Sequence, residues 1–248
     1  MACLLEVRVG IPIPKVEGDP YPYDTAYQKS IINEPVLIKK EGIQGNLAGH
    51  PSNIKQLLHR PVLFFHTSTY TKLKEVFPSA ASSLVRGSFA ENFVVDDDIL
   101  LPDQVCVGDI YQVGNVLLEV SGPRSPCFKI DQHHNVQGLT SYTRETGTSG
   151  YFARVLKEGL CQAGDEIILI KRIHETVTIA YVACVLYGSL YKEYKEYIDS
   201  HKLQLDSSSA YRFTASEVEK HRDVLITRMV ALDSLQKVSE LMPHRQMC

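Results

Sequence analysis

A cysteine flanked by prolines and cations is the most reactive feature of this sequence. Cys127 lies in the segment Val-Ser-Gly-Pro-Arg-Ser-Pro-Cys-Phe-Lys, residues 120–129, which directly follows a strand-like run. The two prolines fix backbone φ angles and remove backbone donors, so we expect the chain to leave the sheet there as a defined turn. Arg124 and Lys129 flank the cysteine, and neighbouring cations favour a thiolate. Because a thiolate is both a nucleophile and a ligand for soft metals, the segment predicts one of these two chemistries.

The same cysteine also has a structural interpretation. Free cysteines are often small buried core residues, and the prolines alone can close a hairpin. None of the six cysteines forms a Cys-x-x-Cys pair, which argues against a zinc site and a disulfide framework and favours a reducing compartment. They are Cys3, Cys106, Cys127, Cys161, Cys184 and Cys248.

Three further segments accompany the cysteine loop in a fixed order. They are Gly-Ser-Phe-Ala-Glu-Asn-Phe at residues 87–93, Val-Cys-Val-Gly-Asp-Ile-Tyr-Gln-Val-Gly at 105–114, and Gly-Tyr-Phe-Ala-Arg-Val-Leu-Lys-Glu-Gly at 150–159. With the cysteine loop, this series resembles the molybdenum cofactor sulfurase C-terminal family, the MOSC domains, and within it the YiiM type. In the corresponding motifs, the family carries Gly-x-Phe-Gly-Glu-Asn-Leu, and a Gln where this chain has Gly122.

One family motif is changed in this chain. The YiiM type carries His-Gly-Gly-Pro-Asp-Arg before a strand, whereas the best register here places Lys-Gln-Leu-Leu-His-Arg at residues 55–60, and only Arg60 matches. Glycine lets a backbone approach a ligand closely, and side chains replace both glycines here. The change motivates an alternative in which the chain binds a cofactor without turnover.

The resemblance implies a mainly β protein with helices. A MOSC-type β-barrel is expected over residues 1–174, followed by a small three-helix-like C-terminal domain over residues 175–248. The sequence pattern agrees with this division, because strand-like alternation gives way to helical periodicity near residues 173–175. That periodicity continues over residues 216–241.

Local patterns predict the elements of the first domain. Strands are expected at residues 4–9, 27–32, 36–38 and 62–66, twice within 105–120, and at 166–171, where the last strand closes the barrel. Helices are expected after Ser68 as N-cap, ending at Pro78, and at residues 139–146 and 151–156. The apolar setting of His66 predicts a hydrogen-bonded core residue, and His133 and His134 are expected to be exposed. Arg154 is expected to be a surface cation.

Composition is that of an ordinary globular protein, with 44% hydrophobic and 22% charged residues. The formal net charge of −3 gives no overall electrostatic case for binding nucleic acid or an anionic membrane. The first nine residues are too short and too charged for a signal peptide, and no run approaches the ~18 apolar residues that span a bilayer. We therefore expect a cytoplasmic protein.

The resemblance also implies an activity. It implies that Cys127 ligates the molybdenum of a molybdenum-pyranopterin cofactor (molybdopterin) in a two-electron reduction of N-hydroxylated compounds. Cationic side chains would hold the cofactor phosphate, and the Glu-Asn pair would line its pocket. The expected cofactor-binding residues are Cys127, Arg124, Lys129, Arg60, Asn92 and Glu91. A separate electron-donating reductase is the expected partner, because the sequence has no flavin, haem or iron–sulfur ligation pattern.

Three alternatives stay open at this point. The chain could bind or carry the cofactor without turnover, it could carry sulfur as a persulfide on Cys127, or it could be a structural fold without a cofactor. The sequence does not give the substrate, the electron donor or the oligomeric state.

Overall fold

A computed structural model describes residues 1–14, 25–47, 60–175 and 177–187. Its strands are β1 (Leu4–Val9), β2 (Ser30–Ile32), β3 (Val36–Lys39), β4 (Gly42–Ile43), β5 (Val62–His66), β6 (Phe93–Val95), β7 (Ile110–Val113), β8 (Val116–Pro123), β9 (Tyr151–Lys157), β10 (Gly159–Cys161) and β11 (Ile167–Lys171). Its α-helices are α1 (Thr67–Val76), α2 (Lys129–His134), α3 (Leu139–Thr146) and α4 (Ile179–Leu186). The mainly β class with helices is therefore confirmed.

Eight strands form one sheet in the order β11-β7-β8-β9-β5-β6-β1-β2, and β10, β3 and β4 form a second, small sheet. Adjacent strands of the large sheet are antiparallel, except for the parallel pair β5 and β6. Within the described residues, the edge strands β11 and β2 do not pair, so the expectation of a closed barrel is wrong.

The two ends of the large sheet approach each other, but the sheet does not close, because β1 and not the edge strand β2 contacts β11. The start of β1, the second strand from one edge, reaches the start of β11 at the other edge. Cys3 and Glu166 form an isolated bridge, and the amide of Ile167 donates to the Ala2 carbonyl at 2.8 Å. The edge strand β2 pairs only with Val7 to Val9, further along β1, and so lies away from this junction.

Strand alternation gives the large sheet two different faces. On one face lies the main hydrophobic core, in which Phe64 and Tyr151 stack at 5.3 Å. On the other face, a smaller cluster buries Phe65 against Phe89, whose ring centroids are 4.6 Å apart, and includes residues of α1, α2 and α3. The cysteine loop belongs to this second face, because Ile130, just after Cys127, is part of the smaller cluster.

Several predicted elements are confirmed, including β1, β5, β11 and α3, but the helix predicted over residues 151–156 is wrong. These residues form β9, which pairs with both β5 and β8. Alternate residues of β9 are buried, and this period of two favours a strand. Arg154 is therefore a cross-strand partner and not a surface cation: its Nη2 lies 2.8 Å from the Glu119 carboxylate on β8.

The strand that delivers the cysteine loop runs further than its prolines suggested. β8 continues to Pro123, which lies opposite Tyr151, so the expected exit from the sheet at Pro123 is wrong. The register shifts between Val120 and Gly122, and Gly122 adopts φ 152°, which marks a bulge. A proline is tolerated at this position because it is the last residue of the strand.

His66 has the structural role that its apolar setting predicted, and it is also the N-cap of α1. Its Nδ1 accepts from the Ser68 amide at 3.1 Å, and its Nε2 lies 3.1 Å from the Asp97 carbonyl. His66, and not Ser68 as expected, therefore caps this helix. Burial lowers the pKa of His66, which favours the neutral imidazole that such a cap requires.

The expected domain boundary at 174/175 stays a prediction, because residues 188–248 lie outside the described residues. The described beginning of the C-terminal segment packs on the main core. Val177, Ile179 and Val182 belong to that core and are at most 3% exposed.

Truncation would test how much of this segment the sheet needs. We expect a fragment ending at Glu175 to be largely unfolded, because it loses three buried side chains worth about 1.5–3 kcal/mol each against a typical total of about 5–15 kcal/mol. A fragment ending at Tyr187 keeps α4 and should unfold cooperatively. Thermal unfolding followed by circular dichroism would compare the two, and a stable fragment ending at Glu175 would contradict this account.

Candidate functional site

Cys127 presents the most exposed described thiol on a loop whose backbone is fixed. The described thiols of Cys106 and Cys161 are buried, and that of Cys3 is half-buried. Burial raises the pKa of Cys106 to about 11 and that of Cys161 to about 12, so both stay protonated near neutral pH. Among the described cysteines, Cys127 is therefore the best placed to react or to bind a metal.

Helix α3 holds the cysteine loop in place through hydrogen bonds to the loop backbone. The Cys127 carbonyl accepts from the Ile130 amide at 3.0 Å and from the Thr140 hydroxyl at 3.1 Å. The Arg144 guanidinium donates to the Pro126 carbonyl at 3.3 Å. Because these bonds use backbone carbonyls, they fix the loop and leave the thiol free to act.

Arg124 anchors the other end of the loop. Its amide donates to the Gly150 carbonyl at 2.9 Å, and its carbonyl accepts from the Ser149 hydroxyl at 2.6 Å. Its guanidinium is buried and donates to the Phe89 carbonyl. This contact joins the cysteine loop to the segment 87–93.

Glu91 closes the turn that carries this carbonyl. Its carboxylate is fully buried and accepts from the Tyr70 hydroxyl, the Gly87 amide and, at 2.9 Å, the Phe89 amide. The turn also needs Ala90 at φ 59°, a left-handed conformation that favours the glycine of the related motif. Glu91 therefore fixes the conformation of the turn beside the candidate site.

Asn92 connects strands. Its side-chain oxygen accepts from the Leu63 amide at 3.2 Å, and its side-chain nitrogen donates to the Arg8 carbonyl at 3.0 Å. These bonds tie β5 to β1 beside the site. A direct contact between Asn92 and a cofactor stays a prediction.

The two remaining cations that were predicted to bind the cofactor are Lys129 and Arg60. Lys129 is half-buried in the first turn of α2. The Arg60 guanidinium lies 5.4 Å from the centre of the Phe152 ring. Phe152 pairs with Gly122, near the end of β8 that leads into the cysteine loop. Residues 55–59, the counterpart of the changed family motif, lie outside the described residues.

The structure adds three residues that sequence reasoning missed: Arg8, Tyr27 and Lys29. The predicted strand over residues 27–32 forms only from Ser30, so Tyr27 and Lys29 lie before the strand and outside its pairing. The Tyr27 hydroxyl donates to the Ser88 carbonyl at 3.0 Å, and the charges of Arg124 and Cys127 are close enough to affect the pKa of its phenol. Arg8 had a sequence signal, because β1 alternation places it on the same face as Glu6, but the burial of Lys29 had none.

Lys29 is a cation in an unfavourable environment. Burial lowers its pKa to about 7, and the nearby Arg124 adds to this effect, while Glu91 opposes it. No hydrogen bond to its ammonium is seen from the described part of the chain. Arg8 lies beside it, donating to the Lys29 carbonyl at 3.1 Å and to Glu6 at 2.7 Å. Counted over the described residues, the site therefore has a surplus of positive charge.

One of the two histidines after the loop differs from expectation. His133 is exposed, as predicted, but His134 is buried, with its Nδ1 2.8 Å from the Ser83 hydroxyl. The difference arises because α2 places successive residues on different faces, and His134 packs against Phe89 in the smaller cluster.

Over the ranges that the structure describes, no three His, Cys, Asp or Glu side chains are grouped as metal ligands. In the same ranges, no helix has the length and apolar character that crossing a membrane requires.

Replacing Glu91 with Gln should destabilise the fold. The amide cannot accept as strongly as the carboxylate and would point donor hydrogens at other donors, which should cost about 3 kcal/mol of the free energy of unfolding. Urea unfolding measures this loss. The exposed Glu75→Gln serves as a control, with an expected change within about 0.5 kcal/mol. Equal stability of the two variants would show that the Glu91 turn does not depend on its charge.

Comparison with known proteins places this geometry in a family. The MOSC domain family profile matches residues 44–168, about half of the chain. A protein of Gibberella moniliformis named as a reductase is 33% identical over 171 residues, covering 68% of this chain but only 29% of its own length. The chain thus spans less than a third of that fungal relative.

Bacterial relatives match over more of their length. YiiM of Escherichia coli is 26% identical over 175 residues, covering 69% of this chain and 75% of YiiM. The crystal structure of YiiM from Geobacillus stearothermophilus has the same fold, with a TM-score of 0.63, 24% identity, and coverage of 90% of this chain and 98% of that one. The chain belongs to the MOSC domain family, as a YiiM-type protein.

Proposed function

We propose that this protein binds a molybdenum-pyranopterin cofactor through Cys127 and reduces N-hydroxylated compounds. The observation that carries the proposal is the exposed Cys127 thiol on a loop whose Arg124 is buried close to the partly buried cation Lys29. The resemblance to YiiM-type proteins and a relative named as a reductase support the reaction class.

The residues present fit such a cofactor in charge. Among the described residues, the carboxylates close to Arg8, Lys29 and Arg124 are those of Glu6 and Glu91, and Glu6 also pairs with Arg86 at 3.1 Å. A bound phosphate would offset this excess and stabilise the protonated form of Lys29. A thiolate is the ligand type that suits a soft metal centre.

Each residue would have a distinct role. Cys127 would ligate the metal, while Arg124 and Lys29 would hold the anionic group. Glu91 would hold Arg124 indirectly, by fixing the turn that carries the Phe89 carbonyl. Arg60, Lys129 and Asn92 stay proposed contacts. Cofactor binding is expected to depend most on Arg124, because its guanidinium can bind two phosphate oxygens at once.

The cofactor would supply the two-electron chemistry at the metal, as cofactors do in such enzymes. The chain's own residues would bind, orient and shield the reactants. The overall reduction consumes two electrons and two protons per N–O bond broken, and the electrons would come from a separate reductase.

The exposure of Cys127 also favours a second candidate, a sulfur carrier. An accessible thiolate can hold a persulfide without a metal. Intact-protein mass spectrometry separates the two: the carrier shows added sulfur and no pterin, whereas the enzyme contains molybdenum and pterin.

Cys127→Ala should abolish hydroxylamine reduction and leave the fold nearly intact, because an exposed thiol contributes little packing. Molybdenum and pterin contents of the purified protein, with reduction by an artificial electron donor, measure the effect. Cys3→Ala is the matched control and should keep both. Full reductase activity in Cys127→Ala would exclude this ligand assignment.

Arg124→Gln should lower cofactor content roughly ten- to a hundredfold, since a shielded charge-assisted hydrogen bond is worth about 1.5–3 kcal/mol. Lys129→Gln should have a smaller effect, because its side chain is less buried. Unchanged cofactor content in both variants would exclude an electrostatic role for the loop cations.

Anion binding by cofactor-free protein should weaken as pH rises through about 7, where Lys29 loses its proton. The folded pKa of Lys29 lies below its usual value of 10.5, so the charged form predominates only below about pH 7. Sulfate is a suitable probe because its own charge does not change in this range. Lys29→Arg should remove the pH dependence while keeping affinity, and Lys29→Gln should remove both. A pH dependence that persists in Lys29→Arg would assign it to another group.

A further inference from the structure

The rings of His133 and Tyr27 pack against each other near the cysteine loop. Their ring centroids are 4.8 Å apart, with the planes tilted by 45°. Arg124 and Cys127 lie close enough to Tyr27 for their charges to affect its pKa. His133 lies in α2, which begins two residues after Cys127. One titratable ring therefore adjoins a residue that lines the proposed site.

The two neighbouring histidines are not equivalent as proton carriers. His134 is buried beside Ser83 and Phe89, and burial lowers its pKa to about 4, so it stays neutral near pH 7. His133 is exposed and can exchange protons with solvent. Partial burial lowers the pKa of His133 and Glu91 opposes this effect, so its protonated form is a somewhat stronger acid than a free histidine.

The groups around His133 are less suited than His133 to donate a proton. Tyr27 cannot serve, because burial raises its phenol pKa well above the neutral range and its proton is donated to the Ser88 carbonyl. The ring of His134 stands edge-on to His133 at 5.0 Å and supports it. Glu91 acts on His133 only through space, since its carboxylate oxygens accept from Tyr70, Gly87 and Phe89.

We propose that His133 is the proton donor to a substrate bound beside Cys127. This inference rests on the proposed reductase function. For a hydroxylamine, two electrons and two protons break the N–O bond, form one N–H bond and one O–H bond, and release an amine and water. His133 gives one proton to the departing oxygen and is reprotonated from solvent, and the second proton, which forms the N–H bond, comes from solvent. The electrons come from a separate reductase, for which a reduced viologen dye substitutes in vitro.

His133→Phe is the decisive variant, because it keeps an aromatic ring against Tyr27 and removes the proton. We expect turnover per molybdenum to fall roughly a hundredfold, at the lower end of what a general acid contributes, with KM little changed. Cofactor content should stay at the wild-type level. Gln132→Ala, an exposed change on the same helix, should be unaffected.

The pH profile gives a readout that a structural role would not change. Wild-type kcat should fall as pH rises through the pKa of His133, because only the imidazolium donates. This limb should disappear in His133→Phe. Lys29 loses its proton in the same range, so the profile is repeated in Lys29→Arg, in which the limb should persist.

A measurement on cofactor-free protein tests the same residue without turnover. The ring C–H resonances of His133 should titrate somewhat below the usual histidine value of about 6.5. Those of His134 should not shift between about pH 5 and 8, the range over which an ordinary histidine changes charge. A His133 ring that does not titrate in this range would overturn the proposal.

The outcomes separate the two proposals. An active wild type with unchanged turnover and pH profile in His133→Phe would overturn the role of His133 and leave the proposed function standing. Loss of cofactor from His133→Phe, with unchanged turnover per molybdenum, would also overturn it in favour of a binding role. Wild-type protein that contains molybdenum and pterin but reduces no hydroxylamine would overturn both.

Discussion

The burial of the Glu91 carboxylate is the constraint on which the candidate site depends. A charge with no exposed surface is costly unless hydrogen bonds compensate for the lost water. Here the compensating donors are the Tyr70 hydroxyl and the amides of Gly87 and Phe89, so the carboxylate fixes the turn around itself. Satisfying one buried charge thereby fixes the direction of the Phe89 carbonyl.

That carbonyl links the turn to the reactive loop. It accepts from Arg124, whose backbone is also bonded to Gly150 and Ser149. Helix α3 supports the other side of the loop through the carbonyls of Pro126 and Cys127. These hydrogen bonds thus fix the backbone of the loop and do not involve the Cys127 thiol, which can react or bind a metal. This division suits a metal ligand, because rigid positioning reduces the entropy that binding would otherwise cost.

The sequence predicted the parts of the candidate site that lie in recognisable motifs, and missed residues outside those motifs that folding brings close to them. Cys127, Arg124 and Glu91 lie in motifs with a recognisable order. Lys29 was missed because its partial burial comes from its position before β2, a short edge strand that was expected to begin at residue 27. The helix predicted over β9 failed for a related reason: pairing on both sides favours the extended chain over local preference.

The barrel expectation failed at the level of topology. Strand patterns predict individual strands but not which strands pair at the ends of a sheet. Here β1, and not the edge strand β2, contacts the start of β11. By contrast, the structural role of His66 was predictable, because an apolar run around a histidine favours a buried ring with fixed partners.

Ligation of the metal by the thiol is the central claim, and X-ray absorption at the molybdenum edge tests it most directly. Natively purified protein should show one more sulfur scatterer around molybdenum than the Cys127→Ser variant loaded with the same cofactor. An identical sulfur shell in the two proteins would contradict the assignment of Cys127 as the ligand.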